Sequence, residues 1–269
     1  QQSRAGNAGA FIRLISISCL ALLAGGCAGV TGKGYWGAAV AWPDGERLAQ
    51  SAVDALRSPH TWAPLAGAVV FGATDLDEEV SDWAVREQPL FGRDAEDASD
   101  SLRNLAVGSY LLTALVVPSD SAASRASGLA VGLSTVALER GTVAGLKAVS
   151  GRTRPDGSDD ASFPSGHTSM ATAMATMAAS NLDYVDAADW LLQSSRAGLY
   201  GLAAATGWAR VEAEKHYPSD VLAGYAIGAF IARFMEGAFL ANGSEEPAMQ
   251  ISAAPLPGGA ALTFRMVLD

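Results

Sequence analysis

The feature that most constrains the fold is an uncharged run from Ala161 to Leu182. Pro164 stands near its start and mostly small, helix-forming residues follow, so the run predicts a helix that begins near Ser165 or Gly166. Serine, threonine and alanine are frequent in it, which suits a helix buried in protein and not one that faces lipid. Other helices are therefore expected to surround it.

Six other segments place small and apolar residues at helical spacing, with charges towards their ends. Because the links between the segments are short, the pattern predicts one all-α helical bundle. The predicted helices span residues 46–56, 62–73, 101–117, 128–150, 166–181, 187–207 and 218–240. No segment of the body is expected to reach about 18 strongly apolar residues, so none is predicted to cross a membrane.

The tail has a different pattern. Residues from Met249 to Ala253 and from Leu262 to Leu268 alternate on either side of a Pro-Leu-Pro-Gly-Gly turn, which predicts a small C-terminal β-hairpin. Four parts are therefore expected along the chain. They are a signal peptide over residues 1–26, a linker over residues 27–45, the helical domain over residues 46–240 and the tail over residues 241–269.

The N-terminus resembles an export signal. Two arginines precede or adjoin an apolar run from Leu14 to Ala24, which is shorter than the roughly 20 residues that a membrane span needs. The sequence LLAGGC is similar to the lipobox of bacterial lipoproteins, which implies that Cys27 carries an acyl anchor to the membrane. The residue after Cys27 favours the outer membrane, with the body in the periplasm. An ordinary cleavage site, giving a soluble periplasmic protein, is the open alternative.

The charge balance disfavours one class of partner. The formal net charge of -10 argues against nucleic acid, whose phosphates attract basic surfaces. Against this acidic background, the cations between Lys147 and Arg154 are an exception. Cysteine offers no other chemistry, because Cys19 lies within the signal and Cys27 would be acylated. The mature domain then has no thiol for a disulfide or a metal site.

Three cations at fixed spacing suggest a phosphate site. Lys147 stands seven residues before Arg154, which precedes a proline, and Arg210 begins a third motif. Phosphoryl transfer depends mainly on placement and on electrostatic stabilisation of negative charge. Arginine binds two phosphate oxygens at once, whereas lysine acts as a point charge. Arg154 and Arg210 are therefore expected to clamp phosphate and Lys147 to neutralise it, with no metal or other cofactor required.

The first turn of the helix predicted after Pro164 is a second phosphate-binding element. Its backbone N–H groups lack intrahelical acceptors, so this helix N-terminus would attract an anion. Gly166 would let the chain approach the phosphate oxygens closely, and Ser165 would add a hydroxyl. His167 would then stand beside the same phosphate.

Two histidines supply the reactive groups. His216 lies just before the helix predicted from Pro218, and Asp220 lies in its first turn, so the two side chains are expected to touch. A carboxylate bonded to one ring nitrogen fixes the tautomer and leaves the other nitrogen free to attack phosphorus. His167 would protonate the departing oxygen and later activate water.

The segments KAVSGRTRP, FPSGHT and ARVEAEKHYPSD resemble the type 2 phosphatidic acid phosphatase (PAP2) superfamily, which also includes bacterial acid phosphatases and vanadium haloperoxidases. The resemblance spans roughly Ser101 to Gly237 and implies a helical bundle of a soluble type. It assigns the nucleophile to His216, acid–base catalysis to His167 and the orienting carboxylate to Asp220. The phosphate ligands that it implies are Lys147, Arg154, Ser165, Gly166 and Arg210.

The resemblance implies a metal-independent phosphatase that hydrolyses phosphomonoesters, lipid phosphates among them, through a phosphohistidine intermediate. Vanadate is expected to inhibit it. Three alternatives stay open at this point: a nonspecific acid phosphatase acting on small soluble esters, a vanadium haloperoxidase-like enzyme, and an envelope lipoprotein without catalytic activity.

Two departures from the family pattern affect the expected affinity. Ala209 stands where the family usually has a serine before the third-motif arginine, so one hydroxyl contact to phosphate is missing. A short loop after Pro155 carries Asp156, Asp159 and Asp160, which places negative charge at the mouth of the expected site. This charge would tune substrate choice or slow the binding of highly charged substrates.

Other polar residues are given structural roles. Arg152 lies outside the positions that match the family and is interpreted as a flanking charge. The segment from Asp75 to Asp100 contains ten acidic residues whose spacing fits no EF-hand loop, so it is interpreted as a solvated acidic face. Gly224 and Gly228 share one helix face and predict a close approach of two helices.

Overall fold

The computed structural model describes residues 34–240 together with the backbone of residues 249–256 and 259–266. The expected signal peptide, Cys27 and the first part of the linker lie outside the described residues. The helices are α1 (Gly45–Arg57), α2 (Pro59–Gly72), α3 (Leu76–Glu87), α4 (Ala95–Val116), α5 (Ala122–Ser150), α6 (Gly166–Asn181), α7 (Asp189–Glu212) and α8 (Pro218–Met235). A π-helical turn (Glu236–Leu240) extends α8.

These elements confirm the predicted all-α bundle, and α6 has the predicted bounds. Three helices begin at least three residues earlier than predicted, and local residues that favour a helix start account for two of them. Pro59 occupies the first position of α2, and the Ser121 hydroxyl accepts a hydrogen bond from the Ser124 N–H at the start of α5. The third is α4, which begins at Ala95.

The tail forms two strands, β1 (Met249–Leu256) and β2 (Gly259–Met266). They pair antiparallel, from Met249 opposite Met266 to Leu256 opposite Gly259. The alternating pattern on either side of a proline- and glycine-containing turn therefore corresponds to a hairpin, as predicted.

α3 is absent from the predicted helices. Its first turn carries Asp77, Glu78 and Glu79, and its last turn carries Arg86, a charge order that complements the helix dipole. The interpretation of this region as a wholly solvated acidic face is wrong for one residue in particular. Asp77 is only 3% exposed, because its carboxylate lies against α8 and pairs with groups described below.

α6 is the central helix of the bundle. Every residue from Thr168 to Ala179 is buried, and the helix packs against α4, α5, α7 and α8. One of its buried hydroxyls is satisfied within the helix, because Thr172 donates to the Thr168 carbonyl in the preceding turn. The prediction of a helix buried in protein is confirmed. The central position of α6 places its first turn beside the first turn of α8, where the Ser165 N–H donates to the Asp220 carbonyl.

Glycines let α8 lie directly against α6. A Cβ atom at Gly224 would come within 2.4 Å of the Ser165 carbonyl oxygen, and one at Gly228 within 2.1 Å of the Ser169 carbonyl oxygen. Both distances are far below van der Waals contact with backbone atoms that cannot move alone. The predicted close approach of two helices is confirmed, and it brings the first turns of α6 and α8 together.

Gly228→Ala is expected to lower the free energy of unfolding by at least about 2 kcal/mol, because α8 would be forced away from α6. Gly198→Ala is the matched control, since it also lies inside a helix and a Cβ atom there meets nothing within 4 Å. That change should stabilise the protein by about 0.5 to 1 kcal/mol through helix propensity. Urea unfolding of the two variants measures both effects, and equal effects would contradict the packing described here.

Two of the described helices are long and apolar enough to cross a membrane, by length and composition alone. They are α5, with a mean hydropathy of 1.2 and 28% of its most apolar window buried, and the segment Pro218–Leu240, with 1.3 and 50%. The sequence prediction that no body segment reaches this limit therefore needs correction. Helices that lie in the core of soluble proteins pass the same test, and α8 packs against α6 in this way.

Candidate active site

The three predicted phosphate-binding cations lie near one another at one end of the bundle. Lys147 is in the last turn of α5, Arg154 follows α5, and Arg210 is in the last turn of α7. Their mutual repulsion is visible in the pKa values. Burial and the neighbouring Arg154 charge lower the pKa of Lys147 to about 8, and burial followed by Arg154 lowers the pKa of Arg210.

Arg210 is the most enclosed of these cations. Its side chain belongs to a residue that is 5% exposed, and its Nη1 donates a weak hydrogen bond of 3.3 Å to the Ser99 hydroxyl. Its Nε is buried and has no hydrogen-bond partner among the described residues. A buried guanidinium with an unpaired donor is costly in free energy unless an anion binds it.

The first turn of α6 lies beside these cations. Ser165 caps the helix and is fully buried, and its hydroxyl bonds to that of Thr168 at 2.9 Å. Its backbone N–H donates to the Asp220 carbonyl at 2.9 Å, which ties the start of α6 to the start of α8. The N–H groups of Gly166 and His167 follow at the positive end of the helix, as predicted.

His216 is buried beside the cations. The residue is 2% exposed, and burial, followed by the charges of Arg210 and Lys147, lowers its pKa well below 6.5. Its imidazole is therefore neutral at physiological pH, which is the state that a nucleophile requires. Arg210 also lowers the pKa of His167, so both histidines feel the same guanidinium.

The predicted hydrogen bond between His216 and Asp220 is not made. His216 Nδ1 and Asp220 Oδ2 are 3.9 Å apart, which is too long for a hydrogen bond. The carboxylate instead accepts bonds from the Ser162 hydroxyl at 2.6 Å and from the Tyr217 N–H at 2.9 Å. Asp220 occupies the third position of α8, where a carboxylate caps the helix start, so local capping competes with the histidine for it.

Arg152, which the sequence interpretation treated as a flanking charge, is a central part of the site. Its Nη1 donates to Asp220 Oδ1 at 2.7 Å, and its Nη2 donates to Asp77 Oδ2 at 2.7 Å. Asp77 also accepts a hydrogen bond from the Ser219 N–H at 2.7 Å. The guanidinium lies 4.1 Å from the centre of the Tyr217 ring. Arg152 thus links the Asp220 carboxylate to the Asp77 carboxylate and fixes the position of Asp220.

His167 contacts two residues of α4 that sequence reasoning missed. Its Nε2 lies 2.7 Å from Asp100 Oδ1 and 2.6 Å from Arg103 Nη1. A protonated Nε2 can donate to Asp100, whereas an unprotonated Nε2 can accept from Arg103, so each state of the ring has one partner. Burial is the main reason that the pKa of His167 falls to about 4, and Asp100 opposes that fall.

Glu212 anchors the end of α7 that carries Arg210. Its carboxylate accepts three backbone hydrogen bonds of 2.8 to 3.1 Å from residues 90–92 and one of 2.5 Å from Trp208 Nε1. The residue is 3% exposed, so these donors replace water around a buried charge. The link before α4 is thereby fixed against the Arg210 end of α7.

The three aspartates of the loop after Pro155 each have a partner within the site. Asp156 pairs with Lys215 Nζ at 2.9 Å, Asp159 pairs with Arg154 Nε at 2.6 Å, and the Asp160 carboxylate accepts from the Thr153 hydroxyl at 2.7 Å. Asp159 thus lies against one of the predicted phosphate ligands. That the loop forms the mouth of the site, and that its charge affects substrate choice, stay predictions.

Acid is expected to destabilise the protein through its histidines. His216 and His167 have pKa values in the folded chain below the ordinary 6.5, so below pH 6.5 the unfolded chain binds more protons. The free energy of unfolding should therefore fall as pH decreases, by about 1.4 kcal/mol per pH unit for each histidine that stays neutral. Thermal unfolding followed at several pH values tests this, and a smaller slope is expected for His216→Gln.

Comparison with known proteins identifies this arrangement. Residues 127–242 match the model of the PAP2 superfamily. Over these residues the chain is similar to the PAP2 superfamily. The chain is also similar to the lipid A 1-phosphatase of Porphyromonas gingivalis, at 42% identity over 96 residues. That match covers 36% of this chain and about a fifth, 20%, of the relative's length. No solved structure matches the chain significantly.

The PAP2 match contains the three predicted motifs but not all of the contacts around them. Asp77, Ser99, Asp100 and Arg103 lie on α3 and α4, before residue 127. For Asp77 and Ser99 the sequence holds no signal of a role in the site. Asp100 and Arg103 are three residues apart, which indicates an ion pair on one helix face but not a contact with His167. Helices that precede the PAP2 match therefore complete the surroundings of Asp220, Arg210 and His167.

The structure also shows where Ala209 lies, the residue that stands in place of the serine usual in the family pattern. Ala209 is fully buried next to Arg210 in the last turn of α7. A residue in this position of PAP2 proteins usually carries a hydroxyl, and here the methyl group can make no hydrogen bond. Ser165, with its buried hydroxyl, is the neighbouring PAP2-motif hydroxyl that the chain retains.

Proposed function

We propose that this protein is a phosphatase that hydrolyses phosphomonoesters through a phosphohistidine formed on His216. The PAP2 match and the activity for which the P. gingivalis relative is named support this reaction class. The single observation that carries the proposal is structural. A buried neutral imidazole stands among three cations, one of which, Arg210, has a buried guanidinium donor without a partner among the described residues.

Phosphate binding follows from this charge distribution. Arg210, Arg154 and Lys147 can surround a dianion together with the first N–H groups of α6. Arg152 binds the carboxylates of Asp220 and Asp77, so these two side chains direct their hydrogen bonds to Arg152 and not to the three cations. A phosphate monoester would therefore find the guanidinium Nε of Arg210 free of any partner among the described residues.

The proposed reaction has two steps. In the first, a His216 ring nitrogen attacks phosphorus, the N–P bond forms and the P–O bond to the alcohol breaks, with His167 giving its proton to the departing oxygen. In the second, His167 takes a proton from water, whose oxygen attacks phosphorus, and the N–P bond breaks to release inorganic phosphate. A bound dianion beside His167 would raise its pKa from about 4 and so supply the proton needed in the first step.

The substrate class proposed is a lipid phosphate in a bacterial envelope. The relative's name describes action on lipid A, and α5 and α8 are apolar along much of their length. An acyl anchor at Cys27, with the domain in the periplasm at the outer membrane, would keep the site near such a substrate.

A substrate panel tests the proposal. Phosphatidate, an isoprenyl diphosphate and p-nitrophenyl phosphate are offered to the full-length protein, and release of inorganic phosphate is measured. Faster hydrolysis of a lipid phosphate is expected, whereas preference for p-nitrophenyl phosphate would indicate a nonspecific acid phosphatase. Halide oxidation with added vanadate, in the absence of phosphate release, would indicate a haloperoxidase, and inactivity on every ester a non-catalytic protein.

Metal independence is part of the proposal and has its own test. Within residues 34–240, no group of three or more His, Cys, Asp or Glu side chains is arranged to hold a metal ion. EDTA is expected to leave the hydrolysis rate unchanged, and vanadate is expected to inhibit by occupying the phosphate site. Loss of activity in EDTA that magnesium restores would disprove this part of the proposal.

A further inference from the structure

Arg154, a predicted phosphate ligand, already binds a carboxylate of its own chain. Its Nε donates to Asp159 Oδ1 at 2.6 Å. The Asp159 side chain is 52% exposed, whereas that of Arg154 is 14% exposed. The hydrogen bond from Arg154 lowers the pKa of Asp159 below 3.8, so the carboxylate is charged at neutral pH. A solvent-exposed anion therefore occupies a donor that a phosphate ester would use.

The same short segment also occupies the second cation. Lys147 Nζ donates a hydrogen bond to the Ala161 carbonyl oxygen, and the Ala161 N–H donates to Asp159 Oδ1 at 2.9 Å. Asp159 and Ala161 thus provide oxygen acceptors to both cations of the first motif. Both acceptors lie within three residues of one loop, so a movement of that loop would release Lys147 and Arg154 together.

The backbone of the loop is held by contacts that do not involve the Asp159 carboxylate. The Asp156 N–H donates to the Glu214 carbonyl at 3.2 Å, and its carboxylate pairs with Lys215 at 2.9 Å. Asp159 itself contacts the rest of the site through the Arg154 side chain and backbone. Its side chain can therefore turn towards water while the base of the loop stays in place.

We infer that Asp159 is an internal competitor of the substrate phosphate at Arg154, and that it sets the affinity of the site for phosphate esters. The inference rests on the proposed function. Carboxylate and phosphate oxygens use the same guanidinium donors, so only one of them can hold Arg154 Nε at a time. A dianionic phosphate also interacts with Lys147 and Arg210, which gives it the advantage over a single exposed carboxylate.

The competitor raises the apparent Kd by a factor of one plus the equilibrium constant for closing the Asp159–Arg154 pair. Exposed ion pairs of this kind have closing constants of roughly two to five. Asp159→Asn should therefore tighten phosphate binding by roughly three- to sixfold. In turnover, the KM for a phosphomonoester should fall by roughly that factor, while kcat changes little because His216 and His167 are untouched.

Asp160→Asn is the matched control. It removes the same charge from the same loop, but Asp160 binds the Thr153 hydroxyl and not Arg154. Binding of inorganic phosphate and of vanadate to the full-length wild type and both variants can be measured by isothermal titration calorimetry. Thermal unfolding of each variant checks that the fold is intact, as expected for changes at exposed side chains.

The outcomes separate this inference from the proposed function. Tighter binding in Asp159→Asn than in Asp160→Asn supports competition at Arg154. Equal tightening in both variants would show that only net charge matters, and weaker binding in Asp159→Asn would show that Asp159 positions Arg154 for phosphate; either result overturns the inference while leaving the phosphate site in place. If neither anion binds the wild type or either variant, the proposed phosphate site itself is wrong.

Discussion

Replacing His216 with alanine is expected to abolish phosphate release, by on the order of 10⁴-fold or more, because no other described side chain among the three cations is proposed to attack phosphorus. The imidazole is buried and neutral, so its loss removes the nucleophile without removing a charge. Phosphate should still bind, since Arg210, Arg154 and Lys147 remain. Hydrolysis of the best substrate in the panel and calorimetric binding of phosphate measure the two effects separately.

His60→Ala is the control for this variant. The protein has three histidines, and His60 stacks on Tyr200 at a centroid distance of 4.0 Å, away from the cations, so its loss should leave the rate nearly unchanged. Labelling with a phosphomonoester that is radioactive at phosphorus, followed by an alkaline quench that preserves the acid-labile N–P bond, should detect phosphohistidine in the wild type and none in His216→Ala. Retention of more than a tenth of the wild-type rate in His216→Ala would rule out this nucleophile.

Replacing Arg152 with methionine is expected to be the most destabilising change at the site, at about 2 to 4 kcal/mol. The Asp77 and Asp220 side chains are 5% and 0% exposed, and the variant would leave two buried carboxylates without their shared cation. Arg152 is itself 32% exposed, so water partly screens the loss. Urea unfolding gives the change in the free energy of unfolding directly.

The same variant should alter the pH dependence of activity. Burial already raises the pKa of Asp220, and Arg152 opposes that rise. Without the guanidinium, the pKa of Asp220 should rise further, so activity should be lost at low pH and recover as pH increases. A merely structural role for Arg152 would lower stability without moving this limb of the pH profile.

Arg103→Met is the matched stability control for Arg152. Arg103 also pairs with a carboxylate, at 3.2 Å from Asp100, but the Asp100 side chain is 50% exposed. Loss of such an exposed pair should cost less than about 1 kcal/mol. Comparable destabilisation by Arg152→Met and Arg103→Met would contradict the view that Asp77 and Asp220 depend on a buried pair.

Local patterns predicted the elements that carry the phosphate site. Pro164 followed by an uncharged run of helix formers defined α6, and Pro218 defined the start of α8, because both signals act within one turn of the chain. That Arg210 lies near Lys147 and Arg154, which are distant from it in sequence, was expected from the resemblance of the three motifs to one family and not from local spacing.

Contacts between distant segments could not be predicted from the sequence. Arg152 and Asp77 are separated by 75 positions, and a buried carboxylate in an acidic segment has no local feature that distinguishes it from its solvated neighbours. The same holds for Asp100 beside His167, 67 positions apart. Capping of α8 by Asp220 is a local effect, but spacing alone did not show that it would draw the carboxylate away from His216.

The burial of α6 has a consequence for how the protein responds to heat. The turn expected to hold the substrate begins a helix whose middle is enclosed on all sides from Thr168 to Ala179, so that turn cannot melt while the rest of the domain persists. Inactivation and the loss of ellipticity on warming should coincide. Efforts to obtain a more heat-tolerant variant should therefore improve the contacts around this helix before they stiffen the surface loops.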